Sequence, residues 1–234
     1  MKTIILAAGQ SKRMKPIEDK NFLKFLGKPL IQHQIESLAA AGFDDFIIVC
    51  GKHNKPHFNK LKRELKLPIN IIEQKNLSLG MVGAVIDASK FFGDEPVLIV
   101  SGNDIVDENA FELLKNAYKD KNATGFMIAK RVREYFPGGY LKINKYSYIK
   151  EIIEKPEPGK EPSKLINLVL HLYRNPKILV KHLANATSSR DDLYETAVNN
   201  MISDGYKIKS VEYGGFWQAV KYPWHILDLW KHFF

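Results

Sequence analysis

Through the first half of the chain, short apolar runs rich in isoleucine and valine alternate with longer segments whose apolar positions recur at helical spacing. Thr3–Ala7, Phe46–Val49, Ile69–Glu73 and Val97–Val100 read as strands. Leu30–Ala41 (LIQHQIESLAAA) reads as an amphipathic helix stopped by Gly42, His57–Leu65 as a helix ahead of Pro68, and Met81–Phe91 as a third. Strands that are apolar without interruption are buried on both faces, so their alternation with helices predicts a parallel sheet covered on both sides. Ligands in such sheets sit at the carboxyl ends of the strands.

The second half changes character. Gly125–Lys130, Tyr140–Asn144, Ile149–Ile153 and Leu165–Tyr173 read as strands with polar interruptions, Lys155–Pro162 as a proline-rich connection, and Leu193–Ser203 as a helix. The expected class is α/β, with a Rossmann-like mixed, mostly parallel sheet and helices on both faces. The chain ends on an aromatic helical stretch, HILDLWKHFF, with no cap after it, which leaves room for a C-terminal module in the natural protein.

Composition narrows the functional class. Of 234 residues, 45% are hydrophobic and 26% charged, as in an ordinary soluble domain. A single cysteine, Cys50, rules out a disulfide within the chain and fits a reducing cytoplasm. Only five apolar residues precede Gly9, and no run approaches the roughly 18 needed to span a membrane, so a soluble cytoplasmic protein without a membrane partner is expected. The net charge of +9 invites a nucleic-acid reading. Yet the lysines are interleaved with acids, as in KLKREL (Lys60–Leu65), and no nucleic-acid motif accompanies them. A basic field also favours a small polyanionic substrate. His53 and His57 are separated by Pro56, which spoils a shared helical face for zinc.

Candidate chemistry gathers at strand ends. In LAAGQSKRM, residues Leu6, Ala7, Ala8 and Gly9 form a tight small-residue turn whose backbone N–H groups can cradle phosphate, and Arg13 and Lys20 follow. This is neither the Walker pattern nor the dinucleotide fingerprint, since no Gly-Lys-Ser follows and the next glycine is Gly27. The complete pattern, LAAG-x-x-x-RM, then Lys20, then Gly27-Lys28-Pro29, resembles the sugar-1-phosphate nucleotidylyltransferase family, which couples a nucleoside triphosphate to a sugar 1-phosphate. Asp19 occupies that family's usual proline position, and Ser11 and Lys12 replace its usual glycine and threonine.

The resemblance implies a glycosyltransferase-A-like nucleotidyltransferase fold in one domain, 1–234, with a nucleotide-binding half (1–120) and an acceptor-binding half (121–234). It implies that Gly9 and Arg13 grip the triphosphate, that Lys20 contacts the reacting phosphate, and that Gln74 and Gly80 read the base. VLIVSGND (Val97–Asp104) is a buried strand ending in a carboxylate where the family holds Mg²⁺, and Asp104 is the favoured ligand over Asn103. Asp107 is a candidate cap for the helix that follows. Glu154 and Lys155 match the family's acceptor-holding pair, Asn167 matches as well, and Gly139 is a plausible backbone contact to the acceptor. Val169 and His171 replace the family's glycine and tyrosine, and Ala219 replaces its second Mg²⁺ aspartate. The aromatics Phe216, Trp217, Tyr222 and Trp224 read as packing.

The expected partners are a nucleoside triphosphate and a sugar 1-phosphate or similar phosphorylated acceptor, with Mg²⁺ as cofactor; a homo-oligomer is compatible with the chain. Two other readings stay open. Val169 and His171 motivate a cytidylyltransferase acting on a non-sugar phosphate, and Ala219 motivates a nucleotide-binding pseudoenzyme or regulatory subunit.

Overall fold

The apolar runs expected as strands form the middle of a nine-stranded mixed sheet in the computed structural model, which describes residues 1–233. From the N-terminus the chain builds β1 (Lys2–Ala7), the short hairpin β2 (Lys24–Phe25) and β3 (Lys28–Pro29), α1 (Leu30–Ala40), β4 (Phe46–Cys50), α2 (Lys55–Leu65), β5 (Ile69–Glu73), α3 (Gly80–Ala88) and β6 (Val97–Ser101). It continues with β7 (Asp104–Val106), α4 (Asn109–Ala117), β8 (Gly125–Arg131), β9 (Gly139–Ile143), β10 (Ile149–Glu154) and β11 (Leu165–Tyr173). Last come α5 (Pro176–Asn185), α6 (Leu193–Ser203), β12 (Ile208–Glu212), β13 (Trp217–Ala219) and α7 (His225–Phe233).

Strands β5, β4, β1 and β6 are parallel neighbours. Next to them β11 runs antiparallel: one of its edges pairs with β6 and, at Ile166, with Tyr140 of β9, while the other pairs with β8. β12 adds in parallel to β8, and β10 folds back on β9. The β9–β10 hairpin therefore extends the sheet beyond the carboxyl end of β6. Away from the sheet, β7 and β13 form a separate two-stranded ribbon.

Period-two alternation along the buried strands assigns side chains to opposite faces. Ile5 and Ile48 join α1, α2 and α4 in one core, whereas Ile4, Ile47 and Val49 join α3, α5 and α6 in the other. Helices thus cover both faces, as the sequence pattern requires. A third, smaller core gathers Met14, Phe25, Leu30, Ile105, Val220 and Leu229 under the β7–β13 ribbon.

Some element ends differ from expectation for local reasons. The helix expected from His57 begins at Lys55, because Pro56 occupies the first turn, where its missing N–H costs nothing. The helix expected to reach Phe91 ends at Ala88, and Ser89–Phe91 forms a separate 3₁₀ turn. No helix among the described residues is long and apolar enough to cross a membrane.

Candidate active site

The turn after β1 is held from several sides. Gly102 N–H donates to Leu6 O at 2.9 Å, and a Cβ at Gly102 would stand 2.9 Å from that same oxygen, so only a bare backbone lets the ends of β1 and β6 meet. Ala7 lies beneath the turn, and its carbonyl accepts from Asn54 Nδ2 at 2.9 Å. Asp19 accepts from Asn21 N–H at 2.9 Å and from Asn54 Nδ2 at 2.7 Å. Ser11, in the left-handed region at φ 52°, ties the loop's ends together by accepting from Lys20 N–H at 3.2 Å. The buried Met14 side chain anchors the following 3₁₀ turn in the third core.

These constraints shape a cleft of about 470 Å³ whose lining includes Leu6, Ala8, Gly9, Arg13, Lys20, Gln74, Gly80, Ser101, Asn103, Val169 and Lys221. A Cβ at Gly9 would meet nothing within 4 Å, so the backbone there faces open cleft. The Arg13 guanidinium lies 5.2 Å from the Tyr222 ring centroid, so this aromatic packs against a residue that lines the cleft. At the other end of the cleft, Gln74 Nε2 donates to Asn76 O (3.0 Å) and Gly80 O (2.8 Å). Both amide hydrogens are thereby occupied, and the side-chain oxygen is what Gln74 has left to offer a base. Gly80 adopts φ 50°, ψ −133°, a conformation that L side chains rarely adopt.

Asp104 opens β7, directly opposite Ala219 of β13. Trp217 Nε1 donates to Asp104 Oδ2 at 3.5 Å and Asn103 Nδ2 donates to Asp104 Oδ1 at 3.1 Å. Asn103 thus supports the carboxylate with its amide nitrogen. Burial pushes the Asp104 carboxyl up, against the pull of Lys221 and Lys20. Burial also pushes the Lys20 ammonium down to about 8; Asp104 opposes that shift, while Arg13 and Lys221 add to it. Among the described residues, no three of His, Cys, Asp or Glu gather as a metal-holding group. One carboxylate nevertheless suits a hard cation whose remaining oxygens come from substrate phosphates and water.

A second cleft of about 570 Å³ adjoins the first and shares Gly80, Met81 and Val169 with it; Glu154, Arg190, Asp191 and Glu195 supply its charges. The β9–β10 register sets Glu154 opposite Gly139, and a Cβ at Gly139 would stand 2.6 Å from Asn167 Oδ1. Gly139, Glu154 and Asn167 are therefore brought together, although Gly139 and Asn167 do not line the cleft. Lys155 Nζ pairs with Asp191 at 2.6 Å and with Glu154 at 3.4 Å. Burial, reinforced by the charge of Glu154, pushes the Glu195 carboxyl up to about 7. Beneath this cleft His171 is fully buried, 3.0 Å from Tyr194 Oη through Nδ1, and burial holds its imidazole neutral with a pKa of about 3. It cannot touch a ligand there.

Among the residues that escaped sequence reasoning, Lys221, Arg190, Asp191 and Glu195 line the clefts, and Asn54 holds the turn after β1. Lys221 stands two positions beyond Ala219, so strand periodicity could have flagged it. Glu195 lies in a carboxylate-rich segment, RDDLYE. Asn54 carries no signal in the sequence at all.

The chain resembles known proteins over most of its length. The nucleotidyl transferase family model matches residues 2–221. A bifunctional sugar-1-phosphate nucleotidylyltransferase/acetyltransferase of Sulfurisphaera tokodaii is 32% identical over 232 residues, covering 98% of this chain and 54% of the relative. The chain thus spans about half the length of that protein. UTP–glucose-1-phosphate uridylyltransferase 2 of Staphylococcus saprophyticus is 32% identical over 197 residues, covering 70% of this chain and 68% of its own. In fold, the chain is similar to UDP-glucose pyrophosphorylase solved with UDP-glucose, at a TM-score of 0.85 and 18% identity, with 99% of this chain and 97% of the other covered. It is also similar to the inositol-1-phosphate CTP transferase from T. maritima, at a TM-score of 0.82 and 17% identity, covering 99% and 95%. The chain belongs to the nucleotidyl transferase family.

Proposed function

We propose that the chain couples a nucleoside triphosphate to a sugar 1-phosphate, forming a nucleoside diphosphate sugar and releasing pyrophosphate. The observation that carries this reading is the pair of adjoining clefts, one lined by Arg13, Lys20 and Lys221 and the other by Glu154, Arg190 and Glu195. The first suits a polyphosphate, the second a polar, hydroxyl-rich acceptor. In this reading the nucleotide lies mainly on residues 1–120 and the acceptor mainly on 121–234. The buried Cys50, whose thiol burial pushes up to about 11, suits a reducing cytoplasm.

An acceptor phosphate oxygen attacks the α-phosphorus in line, forming a new P–O bond as the bond to the bridging oxygen breaks and pyrophosphate leaves with the electron pair. The acceptor phosphate is already a nucleophile, so the protein's work is alignment and charge neutralisation. The Gly9 turn and Arg13 hold the triphosphate, Lys20 meets the reacting phosphate, and Gln74 and Gly80 border the base. Glu154, Lys155, Gly139 and Asn167 orient the acceptor, with Lys155, Gly139 and Asn167 acting through or from behind Glu154. Asp104 would hold Mg²⁺, which supplies Lewis-acid stabilisation of phosphate charge.

Lys20→Ala lowers turnover by roughly 10²–10³, the range for removing one preorganised charge-stabilising group. Pyrophosphate release measured with a panel of triphosphates and phosphorylated acceptors tests this, and an unchanged rate under chemistry-limited conditions overturns the assignment. Val169 projects into the wall common to both clefts and favours a second reading, a cytidylyltransferase with a non-sugar phosphate acceptor. Phosphorylated alcohols and amines in the same panel separate the two. Nucleotide binding without release across the panel would instead support a regulatory subunit.

A further inference from the structure

The β7–β13 ribbon sets Ala219 opposite Asp104. Residues facing each other across such a ladder have Cβ atoms about 5 Å apart, so a carboxylate at 219 would meet Asp104 over one bound cation. Ala219 is 3% exposed and brings a methyl group with no oxygen donor. Two residues on, Lys221 lines the nucleotide cleft beside Lys20 and Asn103. Its backbone is fixed by Val220 N–H donating to Asn103 O (2.9 Å) and Lys221 N–H donating to His225 Nδ1 (3.0 Å). Its ammonium lies 4.3 Å from the Phe136 ring centroid and donates to Pro137 O at 3.5 Å, on the loop that leads to Gly139. One charge thus stands between the nucleotide cleft and the loop that leads to Gly139.

We infer that Lys221 is a catalytic residue that neutralises the transferred phosphoryl group from the protein itself, adding fixed positive charge where Ala219 offers no second carboxylate to help Asp104 hold a cation. This rests on the nucleotidyl-transfer reading above. As the acceptor oxygen bonds to the α-phosphorus and the pyrophosphate oxygen departs, negative charge grows on the non-bridging oxygens, and a fixed ammonium there stabilises the transition state more than the ground state. The consequence is a reduced dependence on divalent metal, with Lys221 and the metal serving overlapping roles.

The test compares wild type, Lys221→Met, Lys221→Arg and the double variant Ala219→Asp/Lys221→Met in Mg²⁺ and in EDTA. Pyrophosphate release is followed with the best substrate pair from the panel, and tripolyphosphate binding in EDTA is measured by calorimetry. Wild type is expected to keep measurable turnover in EDTA. Lys221→Met is expected to lose roughly 10²–10³ of it and to bind tripolyphosphate at least about tenfold more weakly, the loss of one charge-assisted contact. Lys221→Arg recovers part of both, and the double variant recovers turnover only in Mg²⁺. Circular dichroism and melting of each variant confirm that it is folded. The inference is overturned if Lys221→Met matches wild type in EDTA, or if wild type is active in Mg²⁺ and wholly inactive in EDTA. If no substrate pair turns over, the proposed function fails by itself, and equal tripolyphosphate binding by wild type and Lys221→Met then overturns the role of Lys221.

Discussion

Asp19 Oδ2 accepts a 2.7 Å hydrogen bond from Asn54 Nδ2, and the same amide group reaches Ala7 O at 2.9 Å. Asn54 is 1% exposed and sits where β4 hands over to α2, so a residue from the second βα unit holds the turn after β1. Asn54→Ala leaves Ala7 O with only the longer 3.4 Å contact from Asn21 Nδ2 and removes one donor to Asp19. It is expected to cost about 1–3 kcal/mol of stability and to weaken triphosphate binding more than acceptor binding. Urea unfolding and separate KM values for the two substrates check this; equal KM effects would contradict it.

Lys20 also predicts a pH dependence. Its ammonium, lowered to about 8, is lost in the free protein as pH rises through that value, and with it the charge that meets the reacting phosphate in the proposed function. The profile of kcat/KM, which reports the free enzyme, should therefore fall above about pH 8. In Lys20→Arg the guanidinium stays charged, so the fall at that pH disappears, although turnover is lower throughout.

Glu195 predicts the pH dependence of stability. Its carboxyl titrates near 7 in the folded chain against 4.5 for the unperturbed group, so between those values the folded state holds a proton that the unfolded state has released. Its contribution is fully present below about pH 4.5 and is lost as pH rises through about 7. Glu195→Gln should melt higher than wild type above pH 7 and show no gain near pH 4.5. Differential scanning calorimetry across that range checks the sign.

The parallel core was legible because Ile4, Ile47, Ile99 and their neighbours form uninterrupted apolar runs that only a sheet buried on both faces can use. The turn after β1 and Asp104 stood out as candidates because strand ends carried small residues and an acid. What escaped had no periodic signal. β7 and β13 are three residues each, too short for alternation to register, yet they fix Asp104 against Ala219. α5, opening on Pro176 with Asn175 Oδ1 accepting from Lys177 N–H, shows how one cap can decide an element that composition leaves ambiguous. Asp107 was expected to cap α4, but Glu108 takes the N-cap position without a side-chain cap bond, and Asp107, one residue earlier, accepts from Asn109 N–H at 3.1 Å through Oδ1. Its Oδ2 also accepts from Phe216 N–H at 3.0 Å, a tertiary contact that no local pattern encodes.

Val169 sits where the β11 ladder slips between Asn167 and His171, and it forms part of both clefts. A wall held in common couples the two clefts, although each also has charged residues of its own. Whatever one ligand does to the position of that side chain, the other must feel, and by thermodynamic reciprocity the two binding energies shift each other by the same amount. Shortening the side chain with Val169→Ala would therefore change the cooperativity between nucleotide and acceptor as well as the size of the acceptor admitted. In the proposed function, the strand that joins the two halves of the sheet is thus also the element through which each substrate would sense the other.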